Sequence, residues 1–158
     1  MTLTEFNINI FLKFLVFAKK NTYASNGEFG ERKLADGTRE LTFNQNNFKY
    51  RDNYFGFNPF IGEEIVWFNN KTIWGMNYFG KVIEKNMSEE IYAFLKKALS
   101  AVKEDIPYRG PEHLAENDFE YINEHSGDYM SFIGKETINY KGKLVYSLNY
   151  HGGLIIEK

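Results

Sequence analysis

The sequence predicts an α+β fold in which a helix-strand-strand-strand unit occurs twice and builds one antiparallel sheet with two main helices. The first observation is a repeat: residues 59–80 align with residues 131–152, and eight of the 22 aligned positions are identical. The second is a pair of apolar stripes at helical spacing, and the third is a set of strand-like segments bounded by turn residues. The repeat decides the architecture, because copies too small to fold alone bury their apolar surface against each other.

Length and composition agree with a single domain over residues 1–158. Repeat one is expected at about residues 2–83 and repeat two at about residues 88–156, related by a pseudo-twofold axis. Apolar residues make up 43% of the chain and aromatic residues 18%, which is enough to fill a sizeable core. The chain has no cysteine, so disulfides and thiolate metal sites are excluded.

The first helix is predicted in the apolar run INIFLKFLVFA (residues 8–18), after a capping-box pattern at residues 2–5. The run is too short to cross a bilayer, and it lacks the preceding basic segment that a signal peptide needs. We therefore expect a cytoplasmic protein without membrane association. The second helix is predicted to begin at Ser88, because Glu89 and Glu90 suit the positive end of a helix dipole.

Strands are expected after each helix. Asn69-Asn70 and Lys141-Gly142 are predicted to form two-residue hairpin turns, since Asn and Gly tolerate the positive φ that such turns need. An additional loop is predicted near residues 24–38. The strands are predicted at residues 42–54, 64–68, 72–79, 119–125, 136–140 and 144–151.

The two-residue turns predict which side chains share a face of the sheet. Trp74, Met76 and Tyr78 are expected on the face that the helices cover, together with Ile65 and Trp67. The opposite face carries small and polar residues beside apolar ones, which leaves room for the 24–38 loop, a second subunit or a ligand. Its members include Gly75, Asn77, Phe79, Ser147, Asn149 and His151.

Differences between the two copies point to a site. The Asn-Tyr pairs at Asn77 and Asn149 occur in both copies, which is typical of residues that hold a fold, although they are also matched candidates for ligand contact. By contrast, Phe79 aligns with His151, and Trp67 aligns with Asn139. A His near a Gly-Gly pair is a candidate acid or base near neutral pH.

Two motifs place an Arg beside aromatic residues: Arg51 in YRDNYFG and Arg109 in PYRGP. An Arg stacked on Tyr suits an anionic or planar ligand, whereas the alternative is an Arg that pairs with Asp52 or with a backbone carbonyl. Taken together, these patterns predict an aromatic-lined cleft. Its expected lining residues are Arg51, Asp52, Trp67, Asn77, Asn149 and His151.

Three function hypotheses stay open. The leading one is a non-catalytic small-molecule-binding or sensor domain. The second is a small enzyme that uses His151 or Glu64 as an acid or base. The third is a homodimeric interaction module that buries an apolar face.

Several function classes are disfavoured. A net charge of −2 argues against direct nucleic-acid binding through a basic face. His113, His125 and His151 lack the spacing of metal ligands, so no metal site is predicted. No phosphate loop or dinucleotide fingerprint appears, so no cofactor is predicted.

The segments FLVFAKKNTYA, YRDNYFG, FIGEEIVW, WGMNYFG, IPYRGP and NYHGG together resemble an uncharacterised bacterial and archaeal family of domains of unknown function. In that family the domain sometimes follows a helix-turn-helix of the Xre type in proteins labelled transcriptional regulators. The resemblance therefore implies a sensing or regulatory role. It supplies no established catalytic residues, and we expect no DNA-binding segment in this chain.

Overall fold

The computed structural model describes residues 6–22 and 30–156 as an α+β structure with two α-helices and one nine-stranded antiparallel sheet. Helix α1 spans Ile8–Asn21, and helix α2 spans Ser88–Ser100. The strands are β1 Arg32–Lys33, β2 Arg39–Gln45, β3 Phe48–Gly56, β4 Phe60–Phe68, β5 Lys71–Val82, β6 His113–Glu116, β7 Phe119–Asp128, β8 Ser131–Tyr140 and β9 Lys143–Leu154.

The strands lie in the order β1-β2-β3-β4-β5-β9-β8-β7-β6, so β5 and β9 meet at the middle of the sheet. Tyr78 of β5 faces Tyr150 of β9 at the centre of this antiparallel pair. The strands that follow α1 therefore form one side of the sheet, and the strands that follow α2 form the other.

Both predicted helices are confirmed. The side chain of Asn7 caps α1 by accepting hydrogen bonds from the backbone N–H groups of Asn9 at 2.9 Å and Ile10 at 3.2 Å. The predicted capping box at residues 2–5 lies outside the described residues. Glu89 and Glu90 occupy the first turn of α2, as predicted. Among the described residues, none of the helices combines the length and apolarity needed to cross a membrane.

The two predicted hairpin turns are confirmed, because Asn69, Asn70, Lys141 and Gly142 all have positive φ. The single strand predicted at residues 42–54 is wrong. A turn with φ of 52° at Asn46 divides it into β2 and β3. The sequence also misses β6, so each side of the sheet contains four strands after its helix, with β1 in addition at one edge.

The predicted face assignment is wrong for β4 and β8 because each contains a register shift next to its hairpin. The shifts lie between Val66 and Trp67 and between Ile138 and Asn139. The register passes over Ile73 in β5 and Val145 in β9, and an added residue of this kind changes which residues of the two strands share a face. Val66, rather than Ile65 or Trp67, therefore lies opposite Trp74 in the core.

The same shifts put two carboxylates on the covered face. Glu64 lies opposite Met76, and Glu136 lies opposite Leu148. As predicted, Trp74, Met76 and Tyr78 are on the face covered by the helices, and all three are buried. The other face is open to solvent at several large apolar side chains, which are Phe55, Ile61, Phe79 and Ile133, 45–63% exposed.

Candidate functional site

The covered face of the sheet contains an unusual number of buried charges. Burying a charged side chain is costly unless an opposite charge and hydrogen bonds compensate it. The partners of each group therefore show which charges the fold satisfies. We name this group the buried charge network, and its members are Lys19, Asp52, Glu64, Arg109 and Glu136.

Glu136 on β8 is fully buried and is satisfied from three sides. Arg109, in the segment after α2, donates to its Oε1 from Nε at 3.2 Å and from Nη2 at 2.7 Å. The hydroxyls of Tyr121 and Tyr146 donate to its two oxygens at 2.6 and 2.8 Å. Burial disfavours the charged form of Arg109, but the Glu136 carboxylate together with Tyr146 and Tyr121 outweighs burial and raises the pKa of Arg109 well above its ordinary value.

Lys19 on α1 makes the matching ion pair in the first half of the chain. Its Nζ donates to Glu64 on β4 and, at 2.8 Å, to the backbone oxygen of Tyr108. Burial lowers the pKa of Lys19, and the Glu64 charge opposes that shift. Glu64 thus belongs to an ion pair that ties α1 to the sheet.

Asp52 on β3 differs from the other two carboxylates. It is 3% exposed, and no Lys or Arg in the described part of the chain lies within ion-pair distance of it. The hydroxyl of Tyr78 donates to its Oδ1 at 2.6 Å. Burial, followed by the charge of Glu64 on the neighbouring strand, raises the pKa of Asp52 to about 7. Asp52 therefore changes charge near neutral pH.

Asp52 lines a cavity between α2 and strands β3–β5. We name it the aromatic cavity, and its volume is about 180 Å³. Asp52 and Arg109 supply its charged groups, and the guanidinium of Arg109 lies over the ring of Tyr78, 5.4 Å from its centroid. The lining residues are Asp52, Tyr54, Gly56, Phe57, Phe60, Tyr78, Tyr92 and Arg109.

Hydrogen bonds hold the outer wall of the aromatic cavity. The hydroxyl of Tyr92 on α2 donates to the backbone oxygen of Phe57, and the two rings lie 5.1 Å apart. Next to Phe57, the Asn58 side chain accepts from the N–H of Val82 at 2.8 Å and donates to its carbonyl oxygen at 3.1 Å. The segment between β3 and β4 is thereby attached to both α2 and β5.

A glycine sets the position of Tyr78 in the cavity wall. A Cβ on Gly62 would overlap the hydroxyl end of the Tyr78 ring and would lie 2.6 Å from the backbone oxygen of Asn53. Only glycine leaves room for the ring at this point, because one of the obstructing atoms belongs to the backbone. Gly62 therefore allows Tyr78 to reach Asp52.

The second half of the sheet provides a direct comparison for Asp52. Asn123 on β7 lies opposite Glu136 on β8, just as Asp52 on β3 lies opposite Glu64 on β4. Asn123 accepts a hydrogen bond from the Tyr150 hydroxyl at 2.8 Å, and its amide donates to the backbone oxygen of Gly110 at 2.9 Å. Asn123 is thus satisfied by the chain itself, whereas Asp52 presents a carboxyl to a cavity.

The six residues predicted to line one cleft fall in three places. Asn77, Asn149 and His151 come together in a groove of about 730 Å³ on the open face, where His151 lies opposite Asn77 and Phe79 lies opposite Asn149. Asp52 lies on the covered face.

Arg51 and Trp67 lie outside both cavities and stack on each other. The Arg51 guanidinium is 5.1 Å from the Trp67 ring, and its Nη2 is 3.8 Å from Glu63 Oε1. The stacking predicted for Arg51 is therefore present, but with Trp67 as the aromatic partner. The contact belongs to the surface of the open face.

Arg109, Tyr78 and Tyr92 are cavity residues that the predicted lining set omits. The PYRGP motif singles out Arg109, but it does not show that the aromatic partner is Tyr78. The alignment of the two copies contains a further signal, because the acid Asp52 corresponds to the amide Asn123. Among the described residues, no group of three or more His, Asp or Glu side chains is placed to hold a metal ion.

A family model described as a domain of unknown function, DUF5680, matches residues 52–155. The match covers more than half of the chain and includes Asp52, Tyr78, Tyr92 and Arg109. No curated protein and no solved structure matches the chain.

Proposed function

The chain belongs to the DUF5680 family of domains of unknown function, and we propose that it is a non-catalytic small-molecule-binding domain whose site is the aromatic cavity. The observation that carries the proposal is Asp52, a buried carboxyl without an ion-pair partner among the described residues that faces this cavity. A buried carboxylate without an opposite charge destabilises a fold, so a function is the expected reason for its presence. A carboxyl with a shifted pKa in a cleft is typical of functional sites.

The dimensions and chemistry of the cavity suit a small ligand. An apolar cavity of about 150 Å³ holds benzene in another protein, and this cavity has a volume of about 180 Å³. Aromatic rings supply most of its wall, while Asp52 and Arg109 supply a few polar contacts. This combination of an apolar wall with few polar groups is the usual form of a ligand site.

A thermal-shift screen of the full chain against small metabolites tests the proposal, with calorimetry on the compounds that stabilise it. Tyr78→Phe removes the hydroxyl that bonds Asp52 in the cavity, and Tyr150→Phe removes the corresponding hydroxyl that bonds Asn123. Ligand affinity should fall in Tyr78→Phe and stay at the wild-type value in Tyr150→Phe. The proposal fails if no compound binds, or if both variants lose affinity equally.

The open face of the sheet favours a second function, contact with another copy of the chain. Ile61 on β4 and Ile133 on β8 are 54% and 63% exposed on the strands that flank the central β5–β9 pair, and Phe79 of β5 is 48% exposed. Light scattering should show a dimer that Ile133→Glu converts to a monomer, while Lys97→Glu on α2 leaves the dimer intact. A wild-type monomer at high concentration contradicts this function.

The acid-base alternative has less support. Glu64 accepts a hydrogen bond from Lys19 inside the core. His151 is exposed in the open-face groove, and in the described part of the chain it makes no hydrogen bond to a carboxylate or a tyrosine hydroxyl. Glu64 is therefore held in an ion pair of the core, and His151 lacks the partner that a general acid or base needs for its orientation.

We further infer that the two sides of the sheet descend from a duplicated unit related by a pseudo-twofold axis through the Tyr78–Tyr150 pair. The strand order about β5 and β9 supports this, as do the register shifts 72 residues apart at Val66 and Ile138. The positive φ of Gly56 and Gly127 supports it too. Under this proposal the copies diverged at Asp52 and Asn123, and the cavity that Asp52 lines is completed by Tyr92 and Arg109 from the second unit, in keeping with a sensing role.

A further inference from the structure

We propose that the ligand of the aromatic cavity is a small organic cation, an amine or alkylammonium ion, whose charged nitrogen pairs with the carboxylate of Asp52. This inference rests on the proposed ligand-binding function of the cavity and adds the chemical class of the ligand. It follows from the charges around the cavity, from the aromatic wall and from the comparison with Asn123.

The charge balance of the buried network favours a cation. Both of its cationic side chains already have carboxylate partners, since Lys19 pairs with Glu64 and Arg109 pairs with Glu136. Asp52 is the third carboxylate and leaves one negative charge in surplus when it is ionised. A bound cation neutralises that surplus, whereas a bound anion adds to it.

Arg109 lines the cavity but does not turn it into an anion site. Its Nε and Nη2 donate to Glu136, so its charge is balanced by a fully buried carboxylate through two charge-assisted hydrogen bonds. An anion placed beside Arg109 would also lie in the cavity that Asp52 lines. The guanidinium stacks on Tyr78 and thereby serves as part of the wall.

The wall of the cavity complements an ammonium group. Ring faces attract cations, and the attraction increases when water is excluded. Pairs of the lining rings pack at 5.1 to 6.2 Å between centroids around the carboxyl. The aromatic residues that line the cavity are Tyr54, Phe57, Phe60, Tyr78 and Tyr92. Five aromatic residues and one carboxylate would hold an alkylammonium ion by its alkyl groups and by its charge.

The pH dependence of binding follows from the groups that face Asp52. These are Glu64 on β4, Tyr78 on β5, Lys19 on α1 and Arg109 after α2. Because these surroundings raise the pKa of Asp52 to about 7, the carboxylate is mostly protonated at pH 6 and mostly ionised at pH 8. A permanent cation should bind about tenfold more tightly at pH 8, in proportion to the ionised fraction.

Three probes of nearly equal shape test the charge class by calorimetry on the full chain. Choline is the cation, 3,3-dimethyl-1-butanol is its neutral isostere, and 3,3-dimethylbutanoate is the anion; n-butylammonium represents primary amines. We expect at least one of the two cations to bind, with the neutral isostere at least tenfold weaker and the anion not detectable. The affinity of choline should rise from pH 6 to pH 8.

Two variants assign the charge preference to Asp52. Asp52→Asn should remove both the preference for the cation and the pH dependence, and it should fold, since an Asn occupies the corresponding place on β7. Tyr150→Phe, which changes the second half only, should keep both. Tyr92→Leu provides a second test of the cavity, with a loss of choline affinity and little change in the folding of the sheet.

The outcomes separate this inference from the proposed function. If neutral or anionic compounds bind as tightly as the cations, or if neither cation binds at about 10 mM while metabolites of another class do, the cavity binds a ligand but the cation proposal is overturned. If neither the probes nor the metabolite screen gives a ligand, both proposals fail. Unchanged choline affinity in Asp52→Asn also overturns the cation proposal.

Discussion

Asp52 illustrates how far a single residue can be predicted from its neighbours in the sequence. The aromatic residues around it in YRDNYFG identify it as a candidate lining residue, and the structure places it in a cavity. Its partner Tyr78 is 26 residues away, and the Arg109 side chain reaches the same cavity from the segment after α2. These partners could not be predicted, because only the strand order and the register shift in β4 bring them together.

The first prediction concerns the effect of Asp52 on stability. The folded-state pKa is about 7 and the ordinary value is 3.8, so between these values the folded chain binds a proton that the unfolded chain has lost. Stability contributed by this group therefore falls as pH rises toward 7 and is constant above it. From pH 5 to pH 8 the loss should be about 2–3 kcal/mol.

Asp52→Asn should remove this loss. Urea unfolding at pH 5, 6, 7 and 8 should show the variant gaining stability relative to the wild type as pH rises, because Asn cannot ionise and can still accept the Tyr78 hydrogen bond. Parallel pH profiles for the two proteins would show that the carboxyl of Asp52 titrates normally in the fold.

Glu136 carries the second prediction. It receives hydrogen bonds from Arg109, Tyr121 and Tyr146 and has 0% exposure. Glu136→Gln leaves the Arg109 charge buried without a counter-ion, which should cost about 3–5 kcal/mol. Tyr146→Phe removes one hydrogen bond from the same carboxylate and should cost about 1 kcal/mol. Equal unfolding midpoints for these two variants would contradict an essential ion pair.

At the scale of elements, the hairpin turns and the buried face of β5 were predictable, and the faces of β4 and β8 were not. Asn and Gly at the turns carry a backbone preference that is visible in the sequence. The register shifts next to those turns have no such marker, and both faces of β4 carry apolar residues, so alternation alone fits either register. Because of that ambiguity, the sequence does not predict that Glu64 and Glu136 lie in the core, and it does not predict the buried charge network.

The third prediction concerns the β8–β9 turn. Lys141 has φ of 49°, a left-handed conformation that costs most side chains energy, and Asn69 holds the corresponding place in the β4–β5 turn. Lys141→Asn should raise the free energy of unfolding by about 0.5 kcal/mol. This value includes the small loss of the exposed ion pair between Lys141 and Asp118. Lys143→Asn, at a position without positive φ, should bring no gain when measured by the same urea titration.

The fourth prediction concerns the close approach of β4 to Tyr78. Gly62→Ala should destabilise the fold by about 1–3 kcal/mol, because the added methyl group meets the Tyr78 ring and the Asn53 backbone oxygen. Gly75→Ala on β5 meets the side-chain methyl groups of Ile65 and Ile155, which can rotate, so it should cost less. The two unfolding midpoints in the reverse order would show that the Tyr78 ring has room to move.

For the whole molecule, the α+β class, the two helices and the antiparallel sheet follow from the repeated pattern of helical stripes and hairpins. The strand order does not follow from it, because nothing in the sequence states that β5 and β9 are neighbours. That pairing makes the sheet continuous and leaves one face for the helices. It also places the open-face groove across the centre of the sheet, while the cavity lies between strands β3–β5 of the first half and Tyr92 and Arg109 of the second.

The last prediction tests whether the β5–β9 pair makes the two halves one cooperative unit. Gly152 on β9 lies opposite Met76 on β5, and a Cβ there would lie 2.8 Å from Met76 Cα and also meet the Gly75 backbone oxygen. Gly152→Ala should therefore force the central strands apart and destabilise the fold by about 2 kcal/mol or more.

Both tryptophans, Trp67 and Trp74, lie in the first half, on β4 and β5. Their fluorescence reports on that half and on the contact of Trp74 with Phe132 of β8, whereas circular dichroism reports on the secondary structure of both halves. The variant should shift the two urea transitions together to the same lower midpoint, because a single cooperative unit unfolds at one concentration. A fluorescence midpoint that stays at the wild-type value while the circular dichroism midpoint falls would mean that the halves unfold independently.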